Sequence, residues 1–558
     1  MQPYTAGRIK QGTTVSYEFL GKAISGPFTI PSGIVTTAPS IMRRIMRDIP
    51  AVGVITTKSI GLLPRAGNRE PVYSQYAPGC FVNAVGLTNP GAEASLAALK
   101  ALEVPADKFL LVSIFGGSVE DFVEVAKLLA PVADGIELNL SCPHAQGYGM
   151  AMGQDPEMVA AIVSAVKAAV DIPVVPKLTP NASDIAAIGR AAIEAGADAL
   201  CAINTVGPGY TASHGEPVLS NGVGGMSGKG VLPIALKCIR ELRAITDKPI
   251  IGCGGFSSAA DCRAAMDAGA DILGVGSALS GMDSADLVTY FETITADLAQ
   301  GRDRAESLIR YDLDMQFRPV TVKAVERVCE DIVVLSCNES VNIQAGEYVF
   351  IWIPGVGEKP FSCLTDDPLR FAVINVGEFT QACCELSPGT EIYIRGPYGT
   401  PVEPPEDSHV MCVAGGTGLA AVYQIARDFG SNEAPAEIFA GARSADRLYF
   451  IEDCKAIAKV TIATDDGSAG HHGRVTEALD ARLAAMTPDE LSKVVFYNCG
   501  PEPMIHAAEA VQQEYVAKER IHSAIDYVTK CGVGICGACA APDGRRICID
   551  GPFISAEG

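Results

Sequence analysis

The sequence predicts an α/β protein in four parts: an N-terminal (β/α)8 TIM barrel, an antiparallel β-barrel, a smaller α/β domain and a short cysteine-rich end. Three observations predict it. Short β-branched runs alternate with Ala-rich helical stretches over roughly the first 300 residues, as parallel α/β folds require. That texture then gives way to strands separated by Gly, Pro and Asn turns, before strand–helix alternation returns. Last, four cysteines crowd into residues 531–548. A chain of 558 residues is too long for one ordinary domain. The expected boundaries are 1–305 for the barrel, 306–316 for a linker, then 317–404, 405–518 and 519–558.

Eight apolar runs stand out in the first part: Phe28 to Ile30, Val52 to Thr56, Phe109 to Ile114, Gly135 to Leu140, Val174 to Lys177, Ala199 to Asn204, Pro249 to Gly252 and Ile272 to Val275. Most gaps hold an amphipathic helix, such as DPEMVAAIVSAVKAAV and DIAAIGRAAIEAGA. The gap from Thr56 to Phe109 is longer and reads as a loop rich in Gly, Pro and Asn. Eight such units suggest a closed barrel, whose chemistry sits at the strand C-termini. Directly after these runs come TTKS, NLSCPH, KLTPN, INTVGPG, GCGGFSS and GVGSALS. Turn chemistry explains their glycines. It does not explain Lys58, Asn139, Cys142, Lys177 and Asn204 all falling at one end.

In the tail, Cys531, Cys536, Cys539 and Cys548 form C-x4-C-x2-C-x8-C. The first three match the plant-type [2Fe–2S] spacing, and Gly532, Gly534 and Gly537 allow close backbone approach to sulfide. A zinc site built from four cysteines usually shows two C-x2-C knuckles, and only one is present. The segment HVMCVAGGTGLAAVYQIARDFG reads as strand, Gly-rich turn and helix, and such a helix start can hold a pyrophosphate. Many turns are Gly-rich, so this signal is weak alone.

A formal charge of −22 argues against nucleic acid and against an anionic membrane surface as partners. The stretch MQPYTAGRIKQGTTVSYEFL has no signal-peptide core, and no apolar run is long enough to span a bilayer. Most of the 18 cysteines lie singly in apolar runs, which fits a reducing cytoplasm.

From about Phe317 to the end, KPFS, NVGEFT, GPYG, the Gly-rich turn, GARSADRLYFIED, TDDGSAGHHGRV and CGPEPM resemble the ferredoxin–NADP reductase superfamily. They are closest to the electron-transfer subunit of class 1B dihydroorotate dehydrogenases. The resemblance implies FAD at Lys359, Pro360, Phe361, Ser362, Val376, Gly377 and Thr380, with Lys359 standing where that family has Arg. It implies NAD at Gly415, Gly416, Thr417, Gly418, Cys499 and Gly500, and a [2Fe–2S] cluster on the four cysteines.

The first part resembles class 1 dihydroorotate dehydrogenases through PSG (31–33), TTKS (56–59), NAVGLTNPG (83–91), ELNLSCPH (137–144), KLTPN (177–181), INT (203–205), GGMSG (224–228), CGGF (253–256) and GVGS (274–277). The resemblance implies Cys142 as the base that deprotonates the substrate ring. Ring binding falls to Lys58, Asn83, Gly86, Leu87, Asn139, His144, Asn204 and Thr205. FMN contacts fall to Ser32, Gly33, Lys58, Ser59, Asn139, Lys177, Ile203, Gly228, Gly254, Gly255, Gly276 and Ser277. Bacterial class 1 enzymes usually carry Asn where this chain has His144. SCPH followed by GQDPE is also similar to the pyrimidine site of dihydropyrimidine dehydrogenase.

The chemistry suits these residue types. Carboxamides carry donor and acceptor in one plane and so read a cyclic imide. A thiol in a polarised site can work as a base near neutral pH. The expected activity is oxidation of dihydroorotate to orotate, with electrons passing from FMN through [2Fe–2S] and FAD to NAD+. The alternative is NAD(P)H-linked chemistry on uracil, thymine or another unsaturated ring. The expected partners are that small molecule, NAD(P)(H), and a second copy of the chain paired through the barrel.

Overall fold

The computed structural model describes residues 17–140, 150–430 and 435–555. The chain forms two compact units. The first comprises Met1–Asp314 and Val533–Arg546; the second comprises Met315–Gly532 and Ile547–Gly558.

In the first unit the eight expected runs become β1 (Phe28–Ile30), β2 (Val52–Thr56), β3 (Phe109–Ile114), β4 (Gly135–Asn139), β5 (Val174–Leu178), β6 (Leu200–Ala202), β7 (Ile250–Cys253) and β8 (Ile272–Gly274). Neighbours pair in parallel, and Leu273 of β8 pairs with Phe28 of β1, closing the barrel. Strands covered on both faces read as continuous apolar runs, and every residue of β2, β3 and β4 is buried. Local signals start the helices between them. Asp155 caps Pro156–Ala169, with Pro in the first helical turn, and Ser258 with Asp261 forms a capping box for Ala259–Ala268. A hairpin, Tyr17–Phe19 with Lys22–Ile24, adds Phe19 and Ile24 to the buried cluster of Val54, Phe109 and Leu111.

The stretch after β2 is more than the expected loop. It holds the strands Tyr73–Ala77 and Cys80–Asn83, which join Gly224–Gly228 and Val206–Gly209 in a four-stranded antiparallel sheet. Its strands come from far apart in sequence, so no local pattern marks them. Pairing of Gly225 with Asn83 brings the Asn83 segment and the GGMSG segment together.

The second unit begins with seven antiparallel strands: β9 (Arg318–Arg327), β10 (Ile332–Cys337), β11 (Tyr348–Ile353), β12 (Gly357–Phe361), β13 (Thr365–Asp366), β14 (Leu369–Ile374) and β15 (Glu391–Tyr398). Their order is β12-β11-β15-β9-β10-β14-β13. β9 pairs with β15 through residues 318–321 and with β10 through residues 322–327, so one strand serves both halves. Both halves point into one core, where Val322, Leu335, Ile351, Phe371 and Ile394 meet. The next seven strands are β16 (His409–Gly415), β17 (Glu437–Ala442), β18 (Lys459–Thr464), β19 (His471–His472), β20 (Val494–Cys499), β21 (Ile521–Ala524) and β22 (Ile554–Ser555). They are parallel except for β22 and run in the order β19-β18-β17-β16-β20-β21-β22. The chain goes from β16 outward on one side and returns on the other, which makes a topological switch point between β16 and β20. Among the described residues, no helix is long and apolar enough to cross a membrane.

Candidate active site

At the C-terminal ends of the barrel strands lies a cleft with about 1130 Å³ of space. Its walls carry Ser32 and Gly33 after β1, Lys58 after β2, Asn139 at the end of β4, Lys177 on β5, and Ile203, Asn204 and Thr205 after β6. Gly254 and Gly255 follow β7, Gly276 and Ser277 follow β8, and Asn83, Gly86 and Leu87 come from the long β2–β3 connection. Residues as far apart in sequence as Ser32 and Ser277 therefore share one cavity.

Two expected contacts sit behind this wall. Ser59 does not line the cleft, but its hydroxyl accepts from Asn139 Nδ2 at 2.9 Å and meets Ser32 Oγ at 3.0 Å. Gly228 also lies outside the lining. A Cβ there would fall 2.1 Å from the Gly79 carbonyl, so glycine permits close strand approach. Cys142 and His144 lie outside the described residues.

The carboxamides are oriented by a directed chain of hydrogen bonds. The Thr205 N–H donates to Asn204 Oδ1 (2.8 Å), and Asn204 Nδ2 donates to Asn139 Oδ1 (3.2 Å). Asn139 Nδ2 continues to Ser59, which meets Ser113 Oγ at 2.9 Å, and Ser113 donates to Glu137 Oε1 at 2.8 Å. A backbone N–H can only donate and a carboxylate can only accept. The two ends thus set the amide orientations along the chain.

Lys177 and Glu137 are a buried pair, 4.0 Å apart. Burial alone would draw the Lys177 ammonium down, but Glu137, helped by Cys201 and Cys253, holds it above the usual lysine range. The lysine enters the cleft charged. Leu87 adopts φ 58° after Gly86 at φ 83°, a left-handed pair in the segment that carries Asn83.

The Gly254–Gly255 turn has a cradle's geometry. Gly255 at φ 80° would place a Cβ 2.6 Å from the Gly228 carbonyl, while a Cβ on Gly276, which lines the cleft, would come no nearer than 3.7 Å to a neighbour, Ile34. Asp261 braces the turn by accepting from the Ser257 and Ser258 amides, the Ser257 hydroxyl and Lys229 Nζ. Such a turn fits a phosphate-bearing flavin. Further walls to which the sequence assigned no flavin or ring contact include Tyr73, Met226, Cys253, Ile535 and Cys536. The first two belong to the four-stranded sheet, and Cys536 carries only the reading of an iron ligand in the sequence.

The second unit has its own cleft, with about 1740 Å³ of space. It is lined by Lys359, Pro360, Phe361, Ser362 and Thr380, and also by Gly415, Gly416, Thr417, Gly418, Cys499 and Gly500. The expected FAD and NAD residues therefore meet at the switch point. Val376 and Gly377 do not line it. Val376 is 76% exposed, and both amides donate to Thr380 Oγ1 at 3.0 Å, holding that side chain at a helix start. Asp526 and Tyr527 are further walls that no motif announced. Burial pushes the Cys499 thiol up to about 12, so it stays neutral.

Gly418 opens the helix Gly418–Phe429, and a Cβ there would lie 2.1 Å from the Cys499 carbonyl. Gly418→Ala should therefore push the helix off β20. A loss of about 1–3 kcal/mol is expected from such overpacking, read as a lower denaturant midpoint, together with weaker nucleotide binding by titration.

Among the cysteines, Cys531, Cys539 and Cys548 are buried and Cys536 is partly exposed. Gly532, Gly534 and Gly537 take φ of 81°, 73° and 64°. A Cβ on Gly532 would press into the Phe350 ring at 2.7 Å. Arg395, fully buried and bidentate to Glu358, donates to the Cys531 carbonyl at 3.0 Å. Among the described residues, no three His, Cys, Asp or Glu side chains gather as a single ion would need. Four thiolates are the donor set an iron–sulfur cluster takes, and Cys531, Cys536, Cys539 and Cys548 supply it.

Comparison with known proteins agrees with this geometry. Residues 14–298 match the family described as dihydroorotate dehydrogenase. Residues 412–510 match an oxidoreductase NAD-binding domain, and residues 528–558 match the iron–sulfur cluster binding domain of dihydroorotate dehydrogenase B. The catalytic subunit of dihydroorotate dehydrogenase B (NAD(+)) from Pyrococcus horikoshii is 44% identical over 263 residues, covering 47% of this chain and 85% of the relative. The corresponding subunit from Methanosarcina mazei is 42% identical over 281 residues, covering 50% and 88%. A solved NADH-dependent reduced ferredoxin–NADP oxidoreductase is 25% identical, covering 42% of this chain and 87% of its own, at a TM-score of 0.38, too low to bear on the fold. With its barrel matched almost end to end, and carrying an NAD-binding and an iron–sulfur segment after it, this chain belongs to the dihydroorotate dehydrogenase family.

Proposed function

We propose that the chain oxidises dihydroorotate to orotate and delivers the electrons to NAD+, with FMN in the barrel cleft, FAD in the second cleft and a [2Fe–2S] cluster on Cys531, Cys536, Cys539 and Cys548. The observation that carries this is the convergence of Asn83, Asn139, Asn204, Lys58 and Lys177 on one cavity beside a glycine cradle. When bound, the flavins and the cluster supply the redox chemistry: hydride acceptance over the barrel, single-electron relay, and hydride donation to the nicotinamide.

The chain's own residues do the rest. Asn83, Asn139, Asn204 and Thr205 hold the ring of the substrate through its amide donors and acceptors. Lys58 and Lys177 place positive charge where negative charge develops. Cys142 Sγ takes the proton from the ring carbon next to the one that loses hydride. Gly254, Gly255, Gly276 and Ser277 hold the flavin phosphate. In the second unit, Lys359 to Ser362 and Thr380 hold FAD, and Gly415 to Gly418 with Cys499 and Gly500 hold NAD.

Most cysteines of the described residues are buried, as small apolar side chains would be, which supports a reducing, cytoplasmic place for the chain. Pairing of two barrels into a homodimer belongs to the same reading.

The test is anaerobic flavin bleaching by dihydroorotate and by dihydrouracil, followed by NADH formation. Bleaching and NADH formation with dihydroorotate support the proposal. Turnover of dihydrouracil alone would move the substrate to another pyrimidine.

A further inference from the structure

The segment Val533–Arg546 packs in the first unit, and the rim that receives it is strained. Val35, a β-branched residue, adopts φ 50°, a conformation such side chains almost never take. Its N–H donates to the Ile535 carbonyl at 2.7 Å. Two residues on, Thr37 Oγ1 donates to the carbonyl of Cys536 at 3.1 Å. The Gly281 N–H reaches the Val533 carbonyl at 2.9 Å. Arg546, 1% exposed, ties the Gly534 carbonyl (2.7 Å) to that of Met282 (2.8 Å) through its two terminal nitrogens. The fit is close enough that a Cβ on Gly537 would fall 2.0 Å from Thr37 Oγ1. Ile535 and Cys536 in turn line the barrel cleft.

We propose that Val35, Thr37 and Arg546 are positioning residues for electron exit from the barrel: they hold the Cys536 loop against the flavin cleft. Strain persists where surrounding contacts over-determine it, and here those contacts all serve one loop. The inference rests on the flavin and iron–sulfur reading above. The step served makes and breaks no bond between the centres. Two single electrons leave the reduced flavin per substrate, each gained by the cluster, and the one proton on the reduced flavin goes to water.

The experiment uses full-length Thr37→Val and Arg546→Lys proteins with iron and FMN contents measured. Anaerobic stopped-flow follows flavin bleaching by dihydroorotate, then cluster reduction by its absorbance and electron spin signal. Bleaching is expected to match the wild type, while cluster reduction from the barrel side slows on the order of ten-fold or more, as mispositioning does to other steps. Reduction of the cluster from the NADH side should be unchanged. Wild-type transfer in both variants would overturn the proposal. So would equal slowing from both sides, or loss of iron, since either would mean that the cluster itself is damaged. If dihydroorotate fails to bleach even the wild type, the substrate reading fails, and NADH-driven reduction of the barrel flavin tests the positioning residues by themselves.

Discussion

Cys142→Ala should lower dihydroorotate oxidation by about 10²- to 10⁴-fold, the range a positioned general base supplies, while NADH still reduces the FAD and the cluster. Two residues of chain, Leu140 and Ser141, separate Cys142 from Asn139, which lines the cleft. Hydride cannot leave the ring efficiently unless the neighbouring C–H proton has an acceptor; in SCPH both a thiol and an imidazole can take a proton near neutral pH, and the family resemblance assigns that task to Cys142. Cys142→Ser gives a finer reading. A serine hydroxyl is a much weaker acid than a thiol, so its rate should recover only toward high pH. Stopped-flow bleaching at several pH values checks both variants. Full-speed oxidation by the alanine variant would remove Cys142 from the mechanism.

Lys177→Met is expected to act twice. Its partner Glu137 is 1% exposed, and removing one member of a buried pair typically costs about 3–5 kcal/mol because the other is left uncompensated. The denaturant midpoint of the first unit should fall accordingly. The variant should also reduce its barrel flavin about 10²- to 10³-fold more slowly, the usual effect of deleting one group aimed at developing charge. Lys177→Met with Glu137→Gln separates the two effects. The double variant should regain most of the stability, since no buried charge is left alone, yet stay slow in flavin reduction. If it recovers both, Lys177 is a structural ion-pair member with no part in the chemistry.

The strands of the barrel were legible in the sequence to within a residue or two. Strands buried on both faces must be apolar throughout, and capping residues such as Asp155 and Ser258 mark helix starts locally. The cleft-lining polar residues were legible for a related reason: barrel chemistry needs polar side chains just after strands, and Lys58, Asn139 and Asn204 stand there. The four cysteines carry their meaning in spacing, whereas the Gly415–Gly418 turn gains its meaning only beside the KPFS and CGPEPM motifs.

Tertiary structure decided what depends on distant pairing. The sheet of Tyr73–Ala77, Cys80–Asn83, Val206–Gly209 and Gly224–Gly228 draws strands from two connections, so Tyr73 became a cleft wall without a motif, and Met226 of GGMSG became one without an assigned contact. The domain boundary expected at 519 is drawn differently by contacts, because Val533–Arg546 packs with the barrel through Val35, Thr37 and Arg546. Sequence spacing identifies what a side chain can bind. Only the folded chain's long-range hydrogen bonds determine which cavity it faces, since those bonds join residues that no local rule connects.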